Sequence, residues 1–438
     1  MKTIARTAAA ALFGLAALAT PAFAVDIQTV VSDKGVKALL VEDYTVPLVA
    51  VSFSWKGAGA TQDAEGREGT AELLTTMMDE GAGERDSQAL QEALADNGMN
   101  YSFRAGYDAW SGSFKTLVSD LDESVDLMAD MLNRPRFDDE PLERMKAGLS
   151  NRLRRSETSP GGVMGKALRE NVFKDHPYGR PADGTLESVA AITRDDLIDQ
   201  HKRSLARDNL YVGVVGAISP EELKPILDEL FGDLPETAQI NEVPGLPEVA
   251  GGTVHVPLDV PQTNVRIVQP GIAREDPDFY AAYLVDHVLG GGAFQSRLYN
   301  EVREKRGLAY GAYSSLPTYQ AGGLAIAQSA TRQERIDETI DVMTSQIERM
   351  GKEGPTDEEL RQAKDFIIGT YAISNLDTSD KIANVLTAIQ REGLGEDYID
   401  RRKEIFEAIT PEQAKRAAQR LYGNEPLIIT VGREEKAG

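Results

Sequence analysis

The feature that most constrains this chain is that it runs through one structural plan twice. Val49, Val51, Phe53 and Trp55 alternate with Ala50, Ser52 and Ser54, the two-residue period of a half-buried strand. Helical periodicity follows over 67–80 and 87–97, and strand-like stretches over 101–105 and 110–116. Longer helical patterns cover 120–133 and 139–156, and a buried strand ended by glycine, NLYVGVVG, covers 209–216. The order then begins again. A strand covers 264–269, a helix 276–289, strands 307–316 and 322–329, helices 332–350 and 356–373, and PLIITVG at 426–432 closes the chain as NLYVGVVG closes the first half. Local echoes support the duplication. FDDEPLERMKAGL (137–149) matches PTDEELRQAKDFI (355–367), and ITRDDLIDQHKRSL (192–205) matches ITPEQAKRAAQRLY (409–422).

A chain of 438 residues is too long for one hydrophobic core and suits two domains. Between the halves, the stretch 234–252 carries prolines at 235, 244 and 247 and reads as an extended linker. The expected layout is therefore a domain over 25–235, a linker over 236–252 and a homologous domain over 253–438. Hairpin-like strand pairs interleaved with helices predict an α+β class, two homologous domains with mixed or antiparallel sheets covered by helices.

Residues 1–24 stand apart. Lys2 and Arg6 precede a short apolar run over 8–19, and Pro21-Ala22-Phe23-Ala24 ends in an A-x-A cleavage pattern. This is the form of a bacterial signal peptide, the run being short for a membrane-spanning helix of about 20 residues. It predicts export to the periplasm without stable membrane insertion. The remainder carries an excess of acid, with 70 Asp and Glu against 47 Lys and Arg in the whole chain, which argues against nucleic acid as a partner. No cysteine occurs, so disulfides, thiolate metal sites and a cysteine nucleophile are excluded.

The most specific stretch is LGGGAFQSRLYNEVREKRGLAYGAYSS (289–315). A glycine-rich turn, an S-R-L helix start, an R-E-x-x-G-L-A-Y run and a strand follow in the order seen in the C-terminal domain of the pitrilysin/insulinase family of zinc peptidases, which this chain closely resembles. That family includes mitochondrial processing peptidase and its bacterial relatives. The likeness extends to DHPYGRPADGT (175–185) and the domain-ending strands. The resemblance implies that Arg303 and Tyr310 are the arginine–tyrosine pair that holds a substrate carbonyl and supports its developing charge. Gly307 would permit the turn between them. By residue type alone, the pair could equally be a surface helix Arg and a core Tyr.

The corresponding zinc helix is REGTAELLTTMMDEGAGERD (67–86). Active relatives read G-L-A-H-F-x-E-H there. Aligned on Gly69-Thr70-Ala71, the two His become Glu72 and Thr76, the Glu base becomes Thr75, and the downstream third ligand becomes Arg152. One carboxylate, two threonines and an arginine are a poor zinc set. The four histidines fall elsewhere. His176 is expected to shape a turn, His201 to sit as a cation at a helix end, His255 to begin the second half, and His287 to lie beside Asp286 on the helix matching the degenerate one. No zinc or other cofactor is expected in this chain.

The resemblance thus implies half of a machine. Some family members are heterodimers in which one subunit carries H-x-x-E-H and zinc, and the other the arginine–tyrosine pair. This sequence looks like the second kind. The partner's zinc would lower the pKa of a bound water and its Glu would take the proton, the substrates being short or unfolded peptides. Acidic chamber walls would favour basic peptides. The alternative is a catalytically inert scaffold or peptide-binding subunit. An autonomous hydrolase of another type lacks its motif, since no G-x-S-x-G occurs.

Overall fold

The computed structural model describes residues 26–434, and the expected signal segment lies outside the described residues. The first half begins with strands β1 (Gln28–Val31), β2 (Lys37–Glu42) and β3 (Leu48–Lys56), and continues with β4 (Asn100–Ala105), β5 (Ala109–Leu117) and β6 (Leu210–Gly216). Its helices are α1 (Thr70–Met77), α2 (Ser87–Asn97), α3 (Leu121–Asn133), α4 (Asp139–Glu157), α5 (Pro160–Val172), α6 (Leu186–Ala191), α7 (Arg194–Ser204) and α8 (Pro220–Phe231). The second half holds β7 (Gly252–Pro257), β8 (Gln262–Pro270), β9 (Ala309–Ser315), β10 (Thr318–Tyr319), β11 (Gly322–Arg332) and β12 (Leu427–Gly432). Its helices are α9 (Phe279–Asp286), α10 (Ile336–Glu353), α11 (Asp357–Asn375), α12 (Ser379–Arg391), α13 (Tyr398–Glu407) and α14 (Pro411–Tyr422).

The duplication read from the sequence is carried into the sheets. The first has the order β1-β2-β6-β3-β5-β4; the second runs β10-β11-β8-β12-β7, with β9 also on β11. In each, the strand that closes its half lies parallel to one neighbour and antiparallel to the other: β6 to β2 and β3, β12 to β7 and β8. Both sheets are therefore mixed, as expected.

Each half also lends a helix to the other, which sequence periodicity does not predict. The inner face of the first sheet carries its own core, with Phe53, Trp55, Trp110 and Phe114 packed on Met77, Leu90, Met128 and Phe231. Its opposite face, with Leu39, Val41 and Val215, is covered by Ala383, Leu386 and Ile389 of α12, from the second half. Reciprocally, Met164, Ala167, Leu168 and Val172 of α5 pack on Val268, Leu324, Leu427 and Ile429 of the second sheet. The strand at 49–55, expected to be half-buried, is consequently buried on both faces, with Ser52 5% and Ser54 1% exposed. Small side chains are what let α12 lie this close. A Cβ on Gly213 of β6 would stand 2.3 Å from the Ala383 carbonyl oxygen. Polar groups cross the same seam, Gln390 Nε2 donating to the Val212 carbonyl at 2.7 Å and Thr387 Oγ1 to the Ser52 carbonyl at 3.0 Å.

The proline-bearing stretch forms no helix or strand over 235–251, yet it is tied down along its length. Gln239 N–H donates to the Arg203 carbonyl, Asn241 exchanges two hydrogen bonds with the Gln62 amide, and Leu246 N–H reaches the Ala321 carbonyl. Among the described residues no helix is long and apolar enough to cross a membrane.

Candidate functional site

The helix expected over 67–80 begins later, at Thr70, because the chain turns at Gly69 with φ +95°, a conformation glycine adopts without strain. A Cβ there would also stand 2.8 Å from the Asp183 carbonyl oxygen. The buried Asp63 carboxylate closes the helix start by accepting the N–H groups of Gly69 and Ala71 at 2.8 and 3.0 Å. Leu73, Leu74, Met77 and Met78 enter the core. On the remaining face, Glu72 meets Arg152 of α4, with Arg152 Nη2 donating to Glu72 Oε1 at 2.7 Å. Burial, then the neighbouring Asp183, push the Glu72 pKa up, and Arg152 pulls it down. The hydroxyls of Thr75 and Thr76 donate to the carbonyls of Glu72 and Leu73, one turn back.

These residues do not suit zinc. The only carboxylate of the set is engaged by a guanidinium that would stand against a dication, and both hydroxyls are spent on their own helix. No group of three or more His, Asp or Glu able to hold a metal occurs among the described residues. Of the four candidate positions, Glu72 and Arg152 meet as an ion pair, and Thr75 and Thr76 bond within α1.

Each histidine has its own setting. His176 Nδ1 accepts the Tyr178 N–H, and Nε2 lies 2.8 Å from the Pro244 carbonyl oxygen, so it shapes the turn as expected. His201 corrects the expectation of a cation at a helix end. It is 7% exposed, its Nε2 sits 2.8 Å from the Leu132 carbonyl oxygen, and burial pushes its pKa down, favouring the neutral ring. His255 lies on β7 beside Thr430. His287 begins a π-helical turn, His287–Gly291, that replaces the end of the helix expected over 276–289.

Arg303 and Tyr310 are brought together. Arg303 lies in a second π-helical stretch, Tyr299–Glu304, a local form often found at functional sites. Gly307, with φ +58°, then reverses the chain into β9. The guanidinium carbon sits 4.5 Å from the Tyr310 ring centre and 5.0 Å from that of Tyr299, so the cation is held between two aromatic faces. Tyr299 is absent from the residues that sequence reasoning singles out, although its i−4 spacing from Arg303 was the available signal. Glu304 is the sole acid paired with Arg303 among the described residues, loosely at 3.8 Å. The guanidinium N–H groups therefore remain available.

Tyr310 is 80% exposed. Ala309 pairs with Thr331 and Ala312 with Ser329, so Tyr310 and Gly311 together face Ala330. This is a β-bulge, which adds one residue and re-aims a side chain. A cavity of about 430 Å³ opens beside it, lined by Tyr310, Tyr313, Gln328, Arg266 and the first turn of α5. A larger one, about 860 Å³, lies between α4, α5 and 179–185. Its walls carry Glu157, Glu170 and Asp183 together with Lys166 and Arg169, so they are of mixed sign. Gly161 lines both cavities.

The helix and the S-R-L start that present the pair are anchored from below. Arg297, 8% exposed, forks onto Glu359 of α11 with Nε and Nη2 at 2.7 and 2.6 Å. Although burial alone would raise it, this pairing holds the Glu359 pKa at about 2.

Comparison with known proteins agrees with this fold. Residues 40–186 match the insulinase (peptidase family M16) profile, and residues 191–367 match that of the peptidase M16 inactive domain. The chain belongs to the insulinase family of peptidases. An M16 inactive-domain structure from Pseudomonas fluorescens is 28% identical, covering 94% of this chain and all of its own, with a TM-score of 0.88. A protease from Helicobacter pylori shares the fold at 18% identity, covering 92% of this chain and 99% of its own, with a TM-score of 0.82. Among curated relatives, an uncharacterized zinc protease of Mycobacterium leprae is 27% identical over 72% of each chain. One from Bacillus subtilis is 22% identical over 91% of this chain and 96% of its own. Within the insulinase frame, the first half carries a salt bridge between α1 and α4, while the second presents an Arg–Tyr pair.

Proposed function

We propose that this chain is the non-zinc-binding subunit of a periplasmic heterodimeric metallopeptidase. In this reading it lends Arg303 and Tyr310 to a homologous partner that carries H-x-x-E-H, for the hydrolysis of short or unfolded peptides. The observation that carries the reading is the contrast between two places in one chain. Glu72 is closed off by Arg152 at 2.7 Å, whereas the Arg303 guanidinium is held over Tyr310 at 4.5 Å with its N–H groups uncommitted. A scaffold has no need of donors so prepared. Zinc held by the partner supplies Lewis-acid chemistry and a nucleophilic water. The tasks of this chain are to hold the peptide carbonyl between Arg303 and Tyr310 and to stabilise its oxygen as charge develops. A donor fixed in that position is worth about 3–4 kcal/mol. The export pattern at 1–24 supports the periplasmic location.

The test is peptide hydrolysis by this chain alone, by an H-x-x-E-H family member alone, and by the two together. The mixture is expected to exceed the sum of the separate rates. In the mixture, Arg303→Ala and Tyr310→Phe should each lower kcat about 10²–10³-fold with little change in KM. Unchanged turnover in both variants would leave the inert-scaffold reading in its place.

A further inference from the structure

The groove beside Tyr310 contains a cation that no carboxylate among the described residues neutralises. Arg266 lies in the middle of β8, opposite Gln328 of β11 and Ile429 of β12, and Gln328 in turn faces Tyr313 of β9. Its neighbours Val265 and Ile267 go into the core of the second half. Arg266 stands on the other face and lines the cavity that Tyr310 also lines. Among the described residues its guanidinium has no hydrogen-bond or ion-pair partner, and burial pushes its pKa down, opposed by the Tyr319 phenol and by no carboxylate.

Three other arginines drawn into this chain's interior are treated differently. Arg297 forks onto Glu359, Arg274 Nε reaches Glu392 at 2.7 Å, and Arg402 donates to the Ile367 carbonyl and stacks on Tyr371. Withdrawing a charge from water is unfavourable unless it finds a counter-charge or hydrogen bonds. The chain has 70 acidic residues to choose from, yet no Asp or Glu lines this cavity. The other polar side chains there include Asn264 and Gln328, both able to donate to an anion.

We propose that Arg266 is an anion subsite of the substrate groove, receiving a peptide carboxylate as the chain is seated against Arg303 and Tyr310. The proposal rests on the half-site reading, because it takes the groove beside Tyr310 to be where peptide lies. The ligand chemistry is a planar carboxylate, which a guanidinium fork meets with two parallel hydrogen bonds. It has two sources, an Asp or Glu side chain or the free C-terminus of the peptide. Either reverses the preference for basic peptides expected from the overall charge.

The experiment uses one unstructured fluorescent peptide in three forms: internal Glu with an amidated C-terminus, internal Gln with a free C-terminus, and internal Gln with an amidated C-terminus. Binding to the intact chain alone is read by anisotropy, and kcat/KM in the mixture with the zinc-bearing subunit. At least one carboxylate form should bind about tenfold or more tightly than the neutral form, as a hydrogen bond to a charged group implies. The form that gains identifies the source. Arg266→Gln should erase the difference while Arg266→Lys retains part of it, with matching circular dichroism and melting temperatures showing that both variants fold. Equal binding of the three forms, binding of none at millimolar peptide, or a difference that survives Arg266→Gln overturns the proposal. If the difference depends on Arg266 but the mixture has no activity, the anion subsite stands and the half-site reading falls. If the mixture is active but discriminates among the forms independently of Arg266, the half-site reading stands and the anion subsite falls.

Discussion

Tyr310 owes its position to one extra residue in its strand. In a regular ladder, the side chains at 310 and 311 would alternate across β9; the bulge opposite Ala330 instead turns the phenol out over Arg303. Gly311 completes the arrangement, since a Cβ there would stand 2.3 Å from the Tyr313 hydroxyl. The contact of Tyr299 with Arg303 then sets the height of the guanidinium. A cation over an aromatic face contributes about 0.5–2 kcal/mol, so Tyr299→Leu should lower kcat/KM in the two-subunit assay about 3–10-fold. Tyr299→Phe, which keeps the ring, should stay near wild type. Asp286 makes a second prediction at this scale. It is 6% exposed, Oδ1 has no hydrogen-bond partner among the described residues, and burial pushes its pKa up to about 7. A carboxyl raised in the folded state favours folding below its unfolded value near 4 and loses that contribution as pH rises through 7. Asp286→Asn should therefore change stability little at pH 4, and raise it by about 2–4 kcal/mol at pH 8. Thermal melts of both proteins across that range check the sign.

At the scale of elements, the two halves can be read against each other. Over nine positions the burial of 70–78 follows that of 281–289, with Glu72 falling on Tyr283, Thr75 on Asp286 and Thr76 on His287. The same element is a plain helix in one half and breaks into a π-helical turn in the other. Much of this is legible in the sequence, because heptad-like apolar spacing marks a helix wherever it packs. The failure at the ends has a physical cause. The glycine run at 290–292 admits several backbone forms, and close packing of Gly290 on the Ser314 backbone, 2.3 Å from its would-be Cβ, selects one that propensity does not specify. The contact between Glu72 and Arg152 is likewise open to reading, through the alignment of two separate helices, whereas Tyr299, Gly311 and Arg266 do not stand out. For Arg266 the signal is an arginine inside an otherwise apolar strand, NVRIV. Because α1 and α4 bring the tips of these two side chains to 2.7 Å, the pair of helices should accept zinc ligands at these positions. The quadruple variant Glu72→His, Thr75→Glu, Thr76→His and Arg152→Glu should bind one zinc per chain by equilibrium dialysis and metal analysis, and wild type none. A variant that folds but binds only background metal would show that the helices have drifted out of ligand distance.

The exchange of α5 and α12 governs the molecule as a whole. Sequence periodicity shows that each helix has an apolar face but not which sheet will cover it, and so the chain reads as two consecutive units when it folds as two interlocked ones. Ala383, Leu386 and Ile389 seal the first sheet, while Met164, Ala167 and Val172 seal the second. Unfolding should thus be a single cooperative transition by circular dichroism and by tryptophan fluorescence, both tryptophans lying in the first half. Leu386→Ala, at a fully buried position, should cost about 2–5 kcal/mol. It should be felt by the tryptophans even though the substitution lies in the other half. Two coincident melts displaced together would agree with this; a second-half transition that moves alone would not.

Interlocking also bears on how such a chain can change over generations. A duplicated segment that loses its chemistry is ordinarily free to decay or be deleted. Here the first half carries α5, the roof over the sheet on which Tyr310 stands, and in turn needs α12 to shelter its own β3 and β6. Deleting the first half would strip the second of its cover, so folding alone gives a reason for the two copies to stay joined.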